Sequence, residues 1–248
     1  MRKRSLLVLL ALAGAAAAQG AQVQVAVAAN MAAPMRRIAA DFARATGHEA
    51  VVSLGSTGKF HAQIRSGAPF EVLLAADDET PAKLEQEGLG VKGTRFTYAT
   101  GRLVLWSADA NAVDAQGQVL REPPRGKLAI ADPRLAPYGA AAMEALTKLG
   151  VLAAWQPHIV QGENIGQAYQ FAATGNAPLG FVALAQVMAD GRITKGSAWI
   201  VPSSLHGPLK QDAIVLKPGE SHPAATALMT YLRSDAARAI LRGYGYEF

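Results

Sequence analysis

Four loops of this sequence carry hydroxyl or amide side chains, and each loop lies between a predicted strand and a predicted helix. The side chains are those of Asn30, Ser56 with Thr57, Tyr138 and Asn164. In open α/β sheets, ligands bind at this edge, and each helix start offers unpaired N–H groups and a positive dipole end. Capping and turn formation explain any single loop of this kind. Four such loops in one chain indicate a site for a small anion that is held by neutral donors.

The remaining motifs give little support for catalysis. The segment 55–59 resembles part of a phosphate-binding loop, but Ser53 and Phe60 stand where that motif needs Gly and Ser or Thr, so Lys59 is expected in solvent. The chain has no Gly-x-Ser-x-Gly elbow and no cysteine, and its five histidines lack metal-ligand spacing. We therefore expect a binding protein that is not an enzyme, with no cofactor and no direct protein ligands to a metal. The alternative of another class is a secreted enzyme that uses Asp77 or Asp78, although this pair more readily ends a strand and caps the next helix.

The elements that position these loops follow a repeated order of strand, short loop and amphipathic helix. This alternation predicts an α/β fold with mostly parallel sheets flanked by helices. The predicted strands span residues 23–29, 50–54, 71–76, 101–108, 127–131, 158–161, 179–184, 198–201 and 212–216.

Helix signals support the same interpretation. Met35, Ile38 and Phe42 recur at helical spacing after the first loop, and Gly47 ends that pattern. Near the end of the chain, Ser221 and Ser234 are predicted N-caps of two helices, since serine readily accepts a hydrogen bond from a first-turn N–H group.

The strand–loop–helix units fall into two clusters, one before and one after residue 100. Each cluster is smaller than a typical domain. We predict a first lobe from residues 22–100 and 205–248, with the last helices returning to it, and a second lobe from residues 101–204, with the ligand in the cleft between them.

The N-terminal segment has the pattern of a secretory signal. Arg2, Lys3 and Arg4 precede an apolar stretch at residues 6–18, and small residues offer cleavage sites that end at Ala18 or Ala21. We therefore predict a cleaved signal peptide at residues 1–21. Removing its three cations from the formal charge of +5 leaves +2. No cluster of Lys and Arg interleaves with aromatic residues, so nucleic acid is not an expected partner.

At the four loops, the sequence resembles the periplasmic molybdate-binding proteins of ABC importers. The resemblance covers nearly the whole chain after the N-terminal segment. It implies a type II periplasmic binding protein, a monomer that binds molybdate or tungstate between its lobes and delivers it to the membrane subunits of an ABC importer. The same fold with another oxyanion, such as sulfate, is the alternative. The segments that carry the resemblance are residues 27–30, 55–58, 66–70, 75–77, 132–133, 136–139 and 178–182.

Carried over residue by residue, the resemblance implies contacts to the oxyanion from all four loops. Asn30 stands where some family members have Ser, Thr57 stands where Ser is usual, and both keep a polar hydrogen. Ile165, where Val is common, would act through its backbone N–H group. The full predicted set is Ala29, Asn30, Thr57, Tyr138 and Ile165, with Ser56 as a less firmly assigned neighbour.

Overall fold

The computed structural model describes residues 20–248, and the predicted secretory signal lies almost entirely outside them. The strands β1 to β12 span, in chain order, Gln22–Ala28, Glu49–Gly55, Val72–Leu74, Phe96–Gly101, Leu103–Ser107, Leu128–Ala131, Ile159–Gly162, Leu179–Ala183, Met188–Ala189, Arg192–Ile193, Ser197–Ile200 and Leu209–Val215. The helices α1 to α9 span Ala32–Thr46, Thr57–Arg65, Glu79–Gln86, Pro137–Lys148, Leu152–Trp155, Ile165–Ala173, Leu184–Val187, Pro223–Leu232 and Asp235–Gly243. Within residues 20–248, none of these helices is long and apolar enough to cross a membrane.

The strands form two five-stranded sheets and one short hairpin. The first sheet has the order β2-β1-β3-β12-β4, and the second has the order β11-β5-β8-β6-β7. We call each sheet with the helices packed on it lobe I and lobe II, respectively. Both sheets are mixed, because the strands at the starts of the strand–loop–helix units pair in parallel while β12, β4, β5 and β11 pair antiparallel. The expectation of mostly parallel sheets therefore holds only for the pairs among β2, β1 and β3 in the first sheet and among β7, β6 and β8 in the second.

The antiparallel strands include those that carry the chain between the two lobes. The strand predicted at residues 101–108 corresponds to β5 in the second sheet, and β4, which ends at Gly101 in the first sheet, was not predicted. Arg102 lies between β4 and β5, where the chain passes from the first sheet to the second. The return crossing lies between β11 and β12.

Helix α1 packs on lobe I through the predicted face. Met35, Ile38 and Phe42 are fully buried, and Gly47 ends the helix in the left-handed conformation at a φ of 73°. The same core cluster contains Leu228 of α8 and Leu241 of α9. The last helices of the chain therefore pack against the first lobe, next to β1 and β3.

The two predicted caps had different outcomes. Ser234 caps α9 as predicted, since its hydroxyl accepts a hydrogen bond from the N–H of Ala237 at 3.3 Å. The prediction for Ser221 was wrong, because His222 is the N-cap of α8 and Pro223 is its first residue. Proline suits that position because it has no N–H to leave unpaired and its φ is already helical.

Candidate anion-binding site

A small cavity lies between the two lobes, where β1 and β2 end and where α2, α4 and α6 begin. All six residues of the predicted site line it. None of its lining residues is charged, so any ligand here meets only hydroxyl, amide, apolar and backbone groups. The lining residues are Ala28, Ala29, Asn30, Gly55, Ser56, Thr57, Ala76, Ala136, Pro137, Tyr138 and Ile165.

The size of this cavity limits the ligand. Its volume is about 10 Å³. Pockets for drug-sized ligands are commonly some 300–1,000 Å³. In this closed conformation, the cavity therefore suits a small inorganic ion and excludes sugars, peptides and nucleotides.

Three helices begin at the wall of this cavity. Thr57 and Ile165 are the first residues of α2 and α6, and Tyr138 is the second residue of α4. First-turn N–H groups have no acceptor inside their own helix, and they carry the positive end of the helix dipole. Convergence of three such ends creates a positive potential without any charged side chain.

Ser56 and Asn164 occupy the same position on two of these helices but use their side chains differently. Asn164 caps α6, since its Oδ1 accepts from the N–H groups of Gly166 at 2.9 Å and Gln167 at 3.1 Å. Ser56 is the N-cap of α2 but makes no capping bond, and its buried hydroxyl has no hydrogen-bond partner. A buried hydroxyl without a partner is costly, so Ser56 is suited to bind a ligand in this cavity.

Thr57 keeps one hydrogen for a ligand. Its Oγ1 accepts a hydrogen bond from the N–H of Ala76 at 3.0 Å, and the side chain is buried. That contact fixes the position of the oxygen on the cavity wall. The hydroxyl hydrogen remains free, because the bond to Ala76 uses only a lone pair.

Asn30 and Tyr138 are both hydrogen-bonded to Gln211, and Asn30 is also bonded to Tyr246. The sequence interpretation found neither Gln211 nor Tyr246. The Nδ2 of Asn30 donates to Gln211 Oε1 and to the Tyr246 hydroxyl, both at 2.8 Å. Gln211 Nε2 donates in turn to the Tyr138 hydroxyl at 3.0 Å, and the Tyr98 hydroxyl donates to Gln211 Oε1 at 2.9 Å. No local pattern signals this contact, because Gln211 is 181 residues away from Asn30 in the chain.

The tyrosines around the site are neutral donors. Burial strongly raises the pKa of the Tyr138 hydroxyl, an effect that the hydrogen bond from Gln211 only partly offsets. Burial is also the main reason that the pKa values of Tyr98 and Tyr246 lie well above the ordinary value. These hydroxyls keep their hydrogens across the physiological pH range, so they repel no anion there.

Direct contacts across the cleft close the cavity. The N–H of Gly58 in α2 donates to the carbonyl oxygen of Leu135 in lobe II at 2.9 Å. Lys59 does not line the cavity; it pairs with Glu163 of lobe II, and both side chains are about half exposed. Lys59 therefore belongs to the rim of the closed cleft rather than to the site.

The two aspartates considered for catalysis lie in a different place. Asp77 accepts hydrogen bonds from the Thr80 N–H at 2.8 Å and from its hydroxyl at 3.1 Å, so it stabilises the start of α3. Burial is the main reason that the pKa of Asp77 is raised. Asp77 and Asp78 line an open groove beside the cavity, together with two further acids, Glu79 and Glu144, and two bases, Lys83 and Arg134. Among residues 20–248, no group of three or more His, Asp or Glu side chains is arranged to hold a metal ion.

Comparison with known proteins gives consistent matches over nearly the whole chain. The model of the bacterial extracellular solute-binding protein family matches residues 23–247. The molybdate-binding protein ModA of Azotobacter vinelandii is 56% identical over 232 residues, 94% of this chain and 92% of that protein. The molybdate-binding protein ModA of Rhodobacter capsulatus is 49% identical over 229 residues, 92% of this chain and 89% of that protein.

A solved structure supports the same relationship. The periplasmic molybdate-binding protein of Azotobacter vinelandii superposes with a TM-score of 0.88 at 40% sequence identity, and the match covers 91% of this chain and 99% of that one. This similarity confirms the predicted α/β fold of the type II periplasmic binding proteins. The chain therefore belongs to the bacterial extracellular solute-binding proteins, within the group that contains the periplasmic molybdate-binding proteins.

Proposed function

We propose that this protein binds molybdate, and also tungstate, in the cavity between its lobes and delivers the oxyanion to an ABC importer. The observation that carries the proposal is an uncharged cavity of ionic size at which three helix N-termini and several hydroxyl groups converge. The relatives at 56% and 49% identity are named for binding molybdate. The protein acts as a carrier rather than an enzyme, and it needs no cofactor.

The proposed contacts divide between side chains and backbone. Asn30 and Thr57 donate through side-chain groups, Tyr138 donates through its backbone N–H group, and Ser56 adds its unpartnered hydroxyl. Ala29 and Ile165 contribute backbone N–H groups. Neutral donors can surround a dianion without a buried countercharge, and hydrogen bonds to a charged group are worth about 1.5–3 kcal/mol each.

Closure follows from the same division of donors. In our assignment, lobe I comprises residues 22–100 and 205–248, and lobe II comprises residues 101–204. An anion that bonds to both lobes favours the closed form, because only that form brings both donor sets to it. The importer then distinguishes loaded from empty protein by the relative position of the lobes, and one monomer carries one anion.

A titration series by isothermal calorimetry tests the ligand. Donors placed for a large tetrahedral anion cannot all reach a smaller one, and each buried bond left unmade costs about 1–3 kcal/mol. Two such losses predict that molybdate and tungstate bind similarly and that sulfate binds roughly 30-fold or more weakly. Equal affinities for sulfate and molybdate would favour the alternative oxyanion and contradict our assignment.

Export is tested on the protein recovered from its native compartment. We expect N-terminal sequencing to begin near Gln19 or Gln22, and size-exclusion chromatography to show a soluble periplasmic monomer. A recovered protein that still begins at Met1 would contradict cleavage of the signal peptide.

A further inference from the structure

A buried polar network lies directly behind the anion cavity, with Gln211 at its centre. Gln211 is fully buried on β12, and it bonds to Asn30, Tyr98 and Tyr138 at 2.8, 2.9 and 3.0 Å, respectively. Asn30 and Tyr138 line the cavity, whereas Gln211 and Tyr98 do not. Any effect of Gln211 on a bound anion must therefore pass through its neighbours.

The backbone around Gln211 is shaped for these contacts. Gln211 pairs with Ala99, but the next residue, Asp212, pairs with Thr97, so Tyr98 is the extra residue of a β-bulge. Bulges re-aim side chains beside functional sites, and this one accompanies the Tyr98–Gln211 bond. Gly101 leaves the necessary space, because a Cβ there would lie 2.0 Å from the Tyr138 hydroxyl and 2.5 Å from Gln211 Nε2.

The network leaves one atom of Asn30 without a partner. Both hydrogens of its NH₂ group are used by Gln211 and Tyr246, and its Oδ1 is buried with no hydrogen bond. A carbonyl oxygen accepts hydrogen bonds but cannot donate one to an anion. In this arrangement, the unpartnered atom of the Asn30 amide is an acceptor, which cannot bond to an anion.

A second arrangement of the same atoms removes this mismatch. Turning both carboxamides by 180° exchanges nitrogen for oxygen at nearly the same positions. The NH₂ of Gln211 then donates to Asn30 Oδ1 and to the Tyr98 oxygen, and the Tyr98 hydrogen goes to the carbonyl of Ala75, which lies 3.0 Å away. The Tyr138 hydroxyl donates to Gln211.

The second arrangement also changes the hydrogen bonds of Tyr246 and Asn30. The Tyr246 hydroxyl, which donates to the Asn30 carbonyl oxygen at 3.3 Å in the first arrangement, donates instead to Asn30 Oδ1, and the NH₂ group of Asn30 becomes the free group. Asn30, which lines the cavity, then has two amide hydrogens without an acceptor in the protein.

We propose that Gln211 is a positioning residue for the oxyanion: in the second arrangement, Gln211 holds Asn30 with its NH₂ group free for the ligand. This inference rests on the proposed function. It assigns part of the affinity to a residue that does not touch the anion. Gln211 bonds both to Asn30 of lobe I and to Tyr138 of lobe II. The position of the Asn30 donor therefore depends on a residue that contacts both lobes.

A double-mutant cycle between Gln211 and Asn30 tests this role. Gln211→Met keeps a similar length but removes the amide, and we expect it to weaken molybdate binding about 10-fold or more by calorimetry, as for a lost bond to a charged group. In the Asn30→Ala background, the same substitution should weaken binding by no more than about 3-fold. Equal losses in both backgrounds, or wild-type affinity in Gln211→Met, would overturn the proposal.

Thr97→Val provides the matched control for a merely structural effect. Thr97 lies beside the bulge and donates to Asp212 at 2.6 Å, but it touches neither Gln211 nor the cavity. It should lower the melting temperature and leave molybdate affinity within about 2-fold; a loss equal to that of Gln211→Met would overturn the proposal.

Two further measurements keep the test decisive. Should Gln211→Met not fold, Tyr98→Phe replaces it in the cycle, and unchanged affinity there would also overturn the positioning role. Wild-type protein that binds no molybdate would instead reject the proposed function, before any variant is compared.

Discussion

The two lobes build their halves of the anion cavity by different means. Lobe I presents side-chain donors, since Ser56 and Thr57 place buried hydroxyls on the wall and Asn30 places an amide there. Lobe II presents the backbone start of α6, and its one polar side chain, Tyr138, is held by a residue of lobe I. The N-caps show the contrast most clearly, because Asn164 satisfies its own helix whereas Ser56 does not.

This difference shows that residue type alone does not identify a ligand donor. Asn164 and Ser56 are both good N-caps, and both precede nine-residue helices at the cleft. Only the hydrogen bonds that each already makes distinguish a structural cap from a group free to bind an anion. Side chains should therefore control affinity in lobe I, while in lobe II they should mainly control stability.

The largest expected effect is in lobe I, at Thr57. Thr57→Val keeps the shape but removes the hydroxyl, so molybdate affinity should fall about 10- to 150-fold, the equivalent of about 1.5–3 kcal/mol. Asn30→Ala should cost a similar amount. Calorimetry measures the affinities, and Thr97→Val serves as a control that removes a threonine hydroxyl outside the cavity. Wild-type affinity in Thr57→Val would remove this residue from the site.

A smaller effect is expected when the two N-caps are exchanged for alanine. Ser56→Ala should weaken molybdate binding roughly 10-fold without lowering the melting temperature of the empty protein, since it removes a buried hydroxyl that has no partner. Asn164→Ala should cost about 1 kcal/mol of stability, the usual value of a cap, and change affinity less. The reverse pattern, with Ser56→Ala destabilising and Asn164→Ala abolishing binding, would show that Ser56 is the structural cap and Asn164 the ligand donor.

Ile165→Ala should change affinity by less than about 5-fold, because only the backbone of Ile165 is proposed to touch the anion. The same substitution should lower the free energy of unfolding by about 2–5 kcal/mol, since the side chain is 3% exposed and packs in the core of lobe II. Chemical denaturation and calorimetry on one preparation separate the two quantities. An affinity loss as large as that of Thr57→Val would show that the lobe II side chains also select the ligand.

The smallest effect is expected on the rim, at Lys59. Its pair with Glu163 crosses the cleft, but both side chains are about half exposed, and such pairs are worth about 0–1 kcal/mol. Lys59→Ala should therefore weaken molybdate binding by no more than about 5-fold, and less so at high salt. Loss of binding in Lys59→Ala together with intact binding in Thr57→Val would replace the neutral cavity with a charge-paired site.

Local patterns in the sequence determined the elements that carry the candidate site. The strand–loop–helix order, the buried face of α1 and the cap at Ser234 depend on neighbouring residues, so they could be predicted without the fold. The six residues assigned by resemblance lie where strands give way to helices, and the structure brings them to one cavity.

Only the tertiary structure decided which polar groups remain free and what holds them. The Ser56 hydroxyl and the Asn164 amide look alike in sequence, and their roles separate once their hydrogen bonds are known. Gln211 reaches Asn30 across 181 residues, by way of a bulge and a strand that returns from the other lobe. Short-range patterns record the preferences of a segment, whereas contacts between distant segments exist only after the sheets have paired.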